Sequence, residues 1–203
     1  MKDLIKTAGI LDKICAIIGI AIKIGLICML VGLCLIGAGF LFDLEAYQIG
    51  ANYSHADLGF VTLVVTEQAM PDYRIILGQA AMEMFLAFLC LIPAHFLVKS
   101  FRAILAPMRN GAPFHNTVSL HLGKMSRYIC ALGIGMNLQT VISNILLTKA
   151  FDLPNLLRGE NIEALQFMFH FDLSFLFYSG ILLLLSYIFR YGEQLQQLSD
   201  ETL

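Results

Sequence analysis

Residues 99–127 read KSFRAILAPMRNGAPFHNTVSLHLGKMSR and contain five basic residues and no acidic one. Apolar runs flank this stretch on both sides, at 75–98 and 128–148. Each run is long enough to cross the hydrocarbon core of a bilayer as a helix, which takes about 20 residues. Because short loops rich in Lys and Arg stay in the cytoplasm, the sequence predicts a cytoplasmic loop here, between two spans. Its centre, 110–113, predicts a turn, and 116–127 predicts a short helical lead-in with Val118, Leu122 and Met125 on one face. We call residues 99–127 the basic segment.

The overall composition is that of an integral membrane protein. Of the 203 residues, 58% are hydrophobic and only 14% are charged, whereas about a quarter of the residues in a soluble domain are charged. A formal net charge of −2 gives no broad positive field of the kind that attracts nucleic acid. We therefore expect the lipid bilayer to be a partner of the chain and expect no direct binding of nucleic acid.

Two further apolar runs, at 24–42 and 171–189, complete a set of four predicted spans. In residues 1–23, apolar residues recur near helical spacing with lysines between them, which predicts an amphipathic helix on the inner leaflet that leads into the first span. With both termini inside, ten Lys and Arg residues are cytoplasmic and three lie outside, as the positive-inside rule requires. The predicted fold is an all-α, four-helix transmembrane bundle in a cytoplasmic membrane, with both termini inside. Its other segments are two outer loops, 43–74 and 149–170, and a cytoplasmic tail, 190–203.

The first outer loop has a composition opposite to that of the basic segment. Residues 43–72 contain five acidic residues and no Lys or Arg. Within it, GFVTLVVTEQ (59–68) is rich in β-branched residues and is followed by Pro71, which predicts a strand. A small extracytoplasmic element with β character is expected.

Polar side chains inside the predicted spans define a candidate ligand pocket. Glu83 lies well inside the second span, and Asp172 lies near the outer end of the fourth. An ionisable group at this depth is costly and normally faces the bundle interior or a water-filled cavity. The alternatives are that these groups only hydrogen-bond one another between helices, or that they carry protons or ions. The candidate pocket residues are Gln79, Glu83, Gln139, Thr140, Asn144 and Asp172.

No spacing in the sequence predicts catalysis or metal binding. The five His residues include no i, i+4 pair, and the five Cys residues include no C-x-x-C. The motifs G-x-S-x-G and H-E-x-x-H and the P-loop are absent from the sequence. We therefore expect no enzyme activity, no catalytic residue, no cofactor and no metal.

The basic segment and the tail form a second candidate site, for a cytosolic protein. The tail, RYGEQLQQLSDETL (190–203), is amphipathic, and its acidic groups can meet the basic segment. The alternative is that the basic residues serve only topology and attraction to anionic lipid. The candidate docking residues are Arg102, Arg109, Lys124, Arg127, Leu195, Leu198 and Asp200.

Motifs in the basic segment and the tail resemble those of a bacterial family of small four-span membrane proteins, catalogued as domain of unknown function 2975. The family has no established activity. Its members are often encoded beside small helix-turn-helix regulators, so the resemblance implies, by analogy, a membrane partner for such a regulator. The matching positions are Gly111, Pro113, Phe114 and Asn116, then Phe189, Gly192, Leu195, Gln196, Asp200, Thr202 and Leu203.

The sequence thus predicts a non-enzymatic sensor or regulatory membrane protein that binds a cytosolic regulator. One alternative is a small transporter or an immunity-type protein that uses the outward-facing pocket. The other is a structural subunit of a larger membrane complex, which would touch its neighbours through the glycine-rich face of the first span. Formation of a homo-oligomer is left open by the sequence.

Overall fold

Four long helices dominate the computed structural model, which describes residues 2–42, 55–57, 62–64, 73–109, 116–150 and 171–201. Each helix is long and apolar enough to cross a membrane. The structure confirms the predicted helical fold with four candidate spans. The cytoplasmic location of the termini stays a prediction. The helices are α1 (Lys2–Phe42), α2 (Tyr73–Arg109), α3 (Asn116–Ala150) and α4 (Ser174–Glu201).

Two short strands lie between α1 and α2 in the sequence. Strand β1 (His55–Asp57) pairs antiparallel with β2 (Thr62–Val64). Strand β2 falls within the stretch whose β-branched residues favour a strand. Most of the outer loop 43–74 and almost all of the outer loop 149–170 lie outside the described residues. The extracytoplasmic location of the strands stays a prediction.

The chain divides into two compact units. Unit 1 comprises Met1–Ile27, Leu89–Met136 and Asp172–Leu203, and unit 2 comprises Cys28–Phe88 and Asn137–Phe171. Unit 1 therefore contains all of α4 and one end of each of the other three helices. Unit 2 contains the opposite ends of α1, α2 and α3.

The fully buried side chains of unit 1 lie in 1–23 and in the basic segment, and they pack in part against residues of the predicted spans, namely Leu182, Leu185 and Phe189 of α4. Every buried side chain among the described residues falls either in 1–23 or in the basic segment, and Val118 is 0% exposed. Burial of apolar side chains away from water is the force that holds soluble helical domains together. Two clusters make up this core: Ile104, Val118, Leu122 and Met125 in one, and Ala8, Cys15 and Leu105 in the other.

Residues 99–109 are helical, which corrects the prediction of a loop there, whereas 116–127 is helical as the sequence predicts. Helix α2 continues through Arg109 and α3 begins at Asn116, so only 110–115 lie outside the described helices. The physical reason is an apolar stripe at helical spacing that the basic residues flank, formed by Phe101, Ile104, Leu105 and Met108. Burial of that stripe stabilises the helix well beyond the end of the apolar run.

Serine side chains join α3 to α4 within unit 1. The hydroxyl groups of Ser126 and Ser179 hydrogen-bond at 2.9 Å, and Ser186 donates to the backbone carbonyl of Ser119 at 2.7 Å. On each helix the two serines are seven residues apart, a spacing that keeps both on one face. Small polar residues at such an interface allow close approach and supply hydrogen bonds between helices.

Replacement of Gly133 by Ala should destabilise the protein, because the added methyl group would overlap the ring of Phe175 on α4. Overpacking of this kind costs about 1–3 kcal/mol. The matched control is Gly180→Ala on α4, where an added methyl group meets nothing within 4 Å. Thermal unfolding in detergent micelles measures both, and equal melting temperatures for the two variants would contradict this close contact.

Candidate functional site

Asp12 of α1 binds two arginines of the basic segment. The Nε atom of Arg102 donates to Oδ1 of Asp12 at 2.9 Å, and Nη1 of Arg109 donates to Oδ2 at 3.1 Å. The two arginines are seven residues apart on α2, so both lie on the same helix face. The Asp12 side chain is 20% exposed, and the two guanidinium groups are about half exposed. One carboxylate therefore links α1 to two positions of α2 that lie two helical turns apart.

The electrostatics of this cluster favour the ionised carboxylate. The hydrogen bond from Arg102 is the largest influence, and together with the charges of Arg102 and Arg109 it holds the pKa of Asp12 below its usual range, although partial burial opposes the shift. Because the arginines are exposed to solvent, each ion pair contributes at most about 1 kcal/mol to stability and weakens with salt.

Glu83 lies in a polar cluster of unit 2. The hydroxyl group of Ser143 on α3 donates to Oε1 of Glu83 at 2.8 Å. The amide group of Gln79, one turn earlier on α2, donates to the same oxygen at 3.1 Å. The predicted pair Gln79 and Glu83 is thus brought together, and its α3 partner is a residue outside the predicted pocket set. These contacts are the interhelical hydrogen bonds named above as an alternative to a ligand pocket.

The other predicted pocket residues lie on α3 and just before α4. Gln139 and Asn144 are half-buried and Thr140 is exposed, and the Asn144 backbone carbonyl accepts a hydrogen bond from Thr148 at 2.7 Å. Asp172 belongs to unit 1, where its carboxylate accepts the backbone N–H of Ser174 at 2.8 Å. A carboxylate in that position caps the start of a helix, which gives Asp172 a structural role at the first turn of α4.

The predicted docking residues lie at the helix ends of unit 1. Leu195 and Leu198 are 51% and 59% exposed near the end of α4, which continues as one helix through Glu201. Lys124 is half-buried on α3, and Arg127 is exposed, its Nε donating to the carbonyl of Gly123 at 3.4 Å. The side chain of Asp200 lies outside the described residues.

The acidic partner observed for the basic segment is Asp12, which the sequence did not suggest. Within the described side chains, the tail residue Glu193 forms no ion pair with the basic segment, whereas Arg102 and Arg109 both bind Asp12. The contact joins residues 90 and 97 positions apart. Only the register of α1 against α2 could have indicated it.

A groove of about 280 Å³ lies between α1 and α2 in unit 1, and we call it the α1–α2 groove. On each helix its lining residues follow the spacing i, i+3, i+4, i+7, so they form one stripe. Three of them are basic, and none is acidic. The lining consists of Ala16, Gly19, Ile20 and Lys23 from α1, and His95, Val98, Lys99 and Arg102 from α2.

Metal ligands do not cluster in the part of the chain that the structure describes, where no group of three His, Cys, Asp or Glu could hold an ion. All five cysteines have free thiols.

No family model, curated protein or solved structure matches this chain. The similarity to the four-span bacterial family therefore rests on the motifs of the basic segment and the tail.

Replacement of Asp12 by Asn should lower the melting temperature at neutral pH and low salt, because both ion pairs are lost. A carboxyl group whose pKa is lower in the folded state stabilises the fold above its ordinary pKa, and that contribution disappears as the pH falls through the lowered pKa. The difference from the wild type should therefore shrink in acid and in concentrated NaCl. A difference that stays constant in both series would contradict an electrostatic role.

Replacement of Glu83 by Gln should preserve stability, because an amide oxygen can still accept from Ser143 and Gln79. Replacement of Glu83 by Leu should cost about 1–2 kcal/mol, since the α2–α3 hydrogen bond is lost. Ser143→Ala supplies the second side of a double-mutant cycle. Additive losses in thermal unfolding for Glu83→Leu and Ser143→Ala would show that the two side chains do not interact.

Proposed function

We propose that this chain is a non-enzymatic regulatory protein of the bacterial cytoplasmic membrane, whose cytoplasmic helix ends hold a cytosolic regulator. The observation that carries the proposal is the location of the buried side chains, in 1–23 and in the basic segment rather than in the spans. A helix that only crosses a bilayer needs about 20 residues. The four helices here have 41, 37, 35 and 28 residues, and the additional length supports a packed helical head.

The head consists of residues 2–23, 99–109, 116–127 and 190–201. Its location in the cytoplasm follows from the distribution of basic residues, since ten of the 13 Lys and Arg residues would lie on that side. A folded head beside the bilayer is a rigid platform for another protein. If the basic residues served only to orient the chain in the membrane, their charges would be sufficient and no folded head would be needed.

The exposed end of α4 is the part of the head best suited to a protein partner. Leu195 and Leu198 are exposed and lie one turn apart, between glutamines. A pair of leucines on one helix face is a typical anchor for a hydrophobic groove on a partner. The similarity to the four-span family implies that this partner is a small helix-turn-helix regulator. Attachment to the membrane would then keep the regulator away from DNA.

Helix α2 gives the simplest link between a stimulus and the head. The same helix contains Glu83 in unit 2 and the arginines that bind Asp12 in unit 1. A ligand or a proton that disturbs the Glu83 cluster would act on a helix that continues into the head. Such a switch requires two arrangements of α2, which the stimulus would bias.

The two alternative functions have less support. A transporter or immunity-type protein needs an accessible polar pocket, whereas the described Glu83 oxygen accepts hydrogen bonds from Ser143 and Gln79. A structural subunit would use the glycine-rich face of the first span for its neighbours. Of its four glycines, Gly25, Gly32 and Gly39 lie against α2 of the same chain instead, whereas an added methyl group at Gly37 meets nothing within 4 Å.

Replacement of Leu195 and Leu198 by Glu should abolish capture of a helix-turn-helix protein from native membranes, because the apolar anchor is lost. The matched control is Gln194→Glu with Gln197→Glu, which adds the same two charges to the same turns of α4 and should retain capture. Mass spectrometry of the captured proteins gives the readout. Equal loss in both double variants would indicate an effect of charge, and capture of no DNA-binding protein by the wild type would contradict the proposal.

A further inference from the structure

We propose that the α1–α2 groove binds the phosphate headgroup of an anionic phospholipid. This site does not depend on the cytosolic regulator, because it lies on residues outside the exposed end of α4. Three observations support it: the charge of the lining, its position along the helices, and an unpaired buried polar atom.

The charge of the groove is complementary to a phosphate. Lys23, Lys99 and Arg102 line it. Asp12 occupies the Nε atom of Arg102 and offsets one of the three charges. Neither lysine has an acidic partner among the described side chains. Basic pockets between helices at the inner face of a membrane are typical sites for lipid headgroups.

The groove lies at the depth of a headgroup layer. Lys23 is the last charged residue before the uncharged run 24–42 of α1, and Lys99 is the first after the uncharged run 84–98 of α2. The two helices therefore pass from apolar to charged sequence at the same groove. Long lysine side chains at such a boundary extend their amino groups toward the headgroups.

His95 supplies a further polar group at this site. Its Nδ1 atom is buried and has no hydrogen-bond partner among the described residues. Buried polar atoms are nearly always hydrogen-bonded in folded proteins, and an imidazole N–H can donate to a phosphate oxygen. His95 lines the groove, and its buried Nδ1 atom would reach a bound oxyanion only after the side chain had turned toward it.

The shape of the groove favours a lipid over a free anion. Its volume of about 280 Å³ is near the lower end of the range for ligand pockets, roughly 300–1,000 Å³. Ile20 and Val98 provide apolar walls beside the basic groups, and Gly19 leaves room between them. An amphiphile with one phosphate and an adjoining glycerol backbone matches walls of both kinds, whereas inorganic phosphate would use only the charges.

Native mass spectrometry of the purified full-length chain tests the proposal, with phosphatidylglycerol and phosphatidylcholine of identical acyl chains as probes. The wild type should bind phosphatidylglycerol more tightly. Lys23→Gln with Lys99→Gln should weaken this binding about 30-fold, the factor expected when two basic groups are removed from a membrane surface. Lys23→Arg with Lys99→Arg should retain binding, which separates loss of charge from loss of fold.

The matched control is Lys6→Gln with Lys13→Gln, which removes the same charge from two exposed positions of α1 outside the groove and should change binding little. If the control weakened lipid binding equally, the lipid would be attracted diffusely to the charged surface and the groove would not be a specific site. Equal binding of both lipids by the wild type would overturn recognition of the headgroup. Displacement of bound phosphatidylglycerol by inorganic phosphate would assign the groove to a free anion instead.

Discussion

Burial of apolar side chains outside the bilayer is the constraint on which the arrangement of the helix ends depends. Among lipid tails an apolar side chain gains no hydrophobic free energy by facing another helix, because the lipid is equally apolar. A hydrophobic core can therefore form only where water is the alternative. The cluster around Val118 and Ile104 lies in such sequence, beside the predicted spans. It holds the ends of α2 and α3 against Leu182, Leu185 and Phe189 of α4.

Within the apolar runs, other interactions hold the helices together. Close packing at Gly133 joins α3 to α4 there, and the hydrogen bond from Ser143 to Glu83 joins α2 to α3. Helix α1 differs again, since its attachment within unit 1 combines a small apolar cluster with the exposed ion pairs of Asp12. Exposed ion pairs are weak and sensitive to salt. Of the helices in unit 1, α1 is therefore the one whose attachment responds most to ionic conditions.

The four candidate spans could be predicted because length and lack of charge are direct physical requirements for crossing a bilayer. Within the helical head, 1–23 and 116–127 were predicted as helices, and 99–109 was missed for an equally physical reason. Three of the eleven residues in 99–109 are basic and none is acidic, which indicated a loop, yet Phe101 and Leu105 recur at helical spacing among them and are packed in the clusters of unit 1. That periodicity was readable in the sequence. The partners of Asp12 and Glu83 were not, because they depend on how α1, α2 and α3 are aligned along one another.

Arg102 belongs both to the Asp12 cluster and to the α1–α2 groove. It donates to Asp12 through Nε and also lines the α1–α2 groove. A headgroup bound there would share this guanidinium with the Asp12 carboxylate, so the two negative groups would oppose each other. Linkage requires this effect to be reciprocal. A bound lipid would weaken the ion pairs between Asp12 and α2, and intact ion pairs would weaken the binding of the lipid. A change in the anionic lipid content of the membrane would then change the attachment of α1 in the head, without any change in the spans.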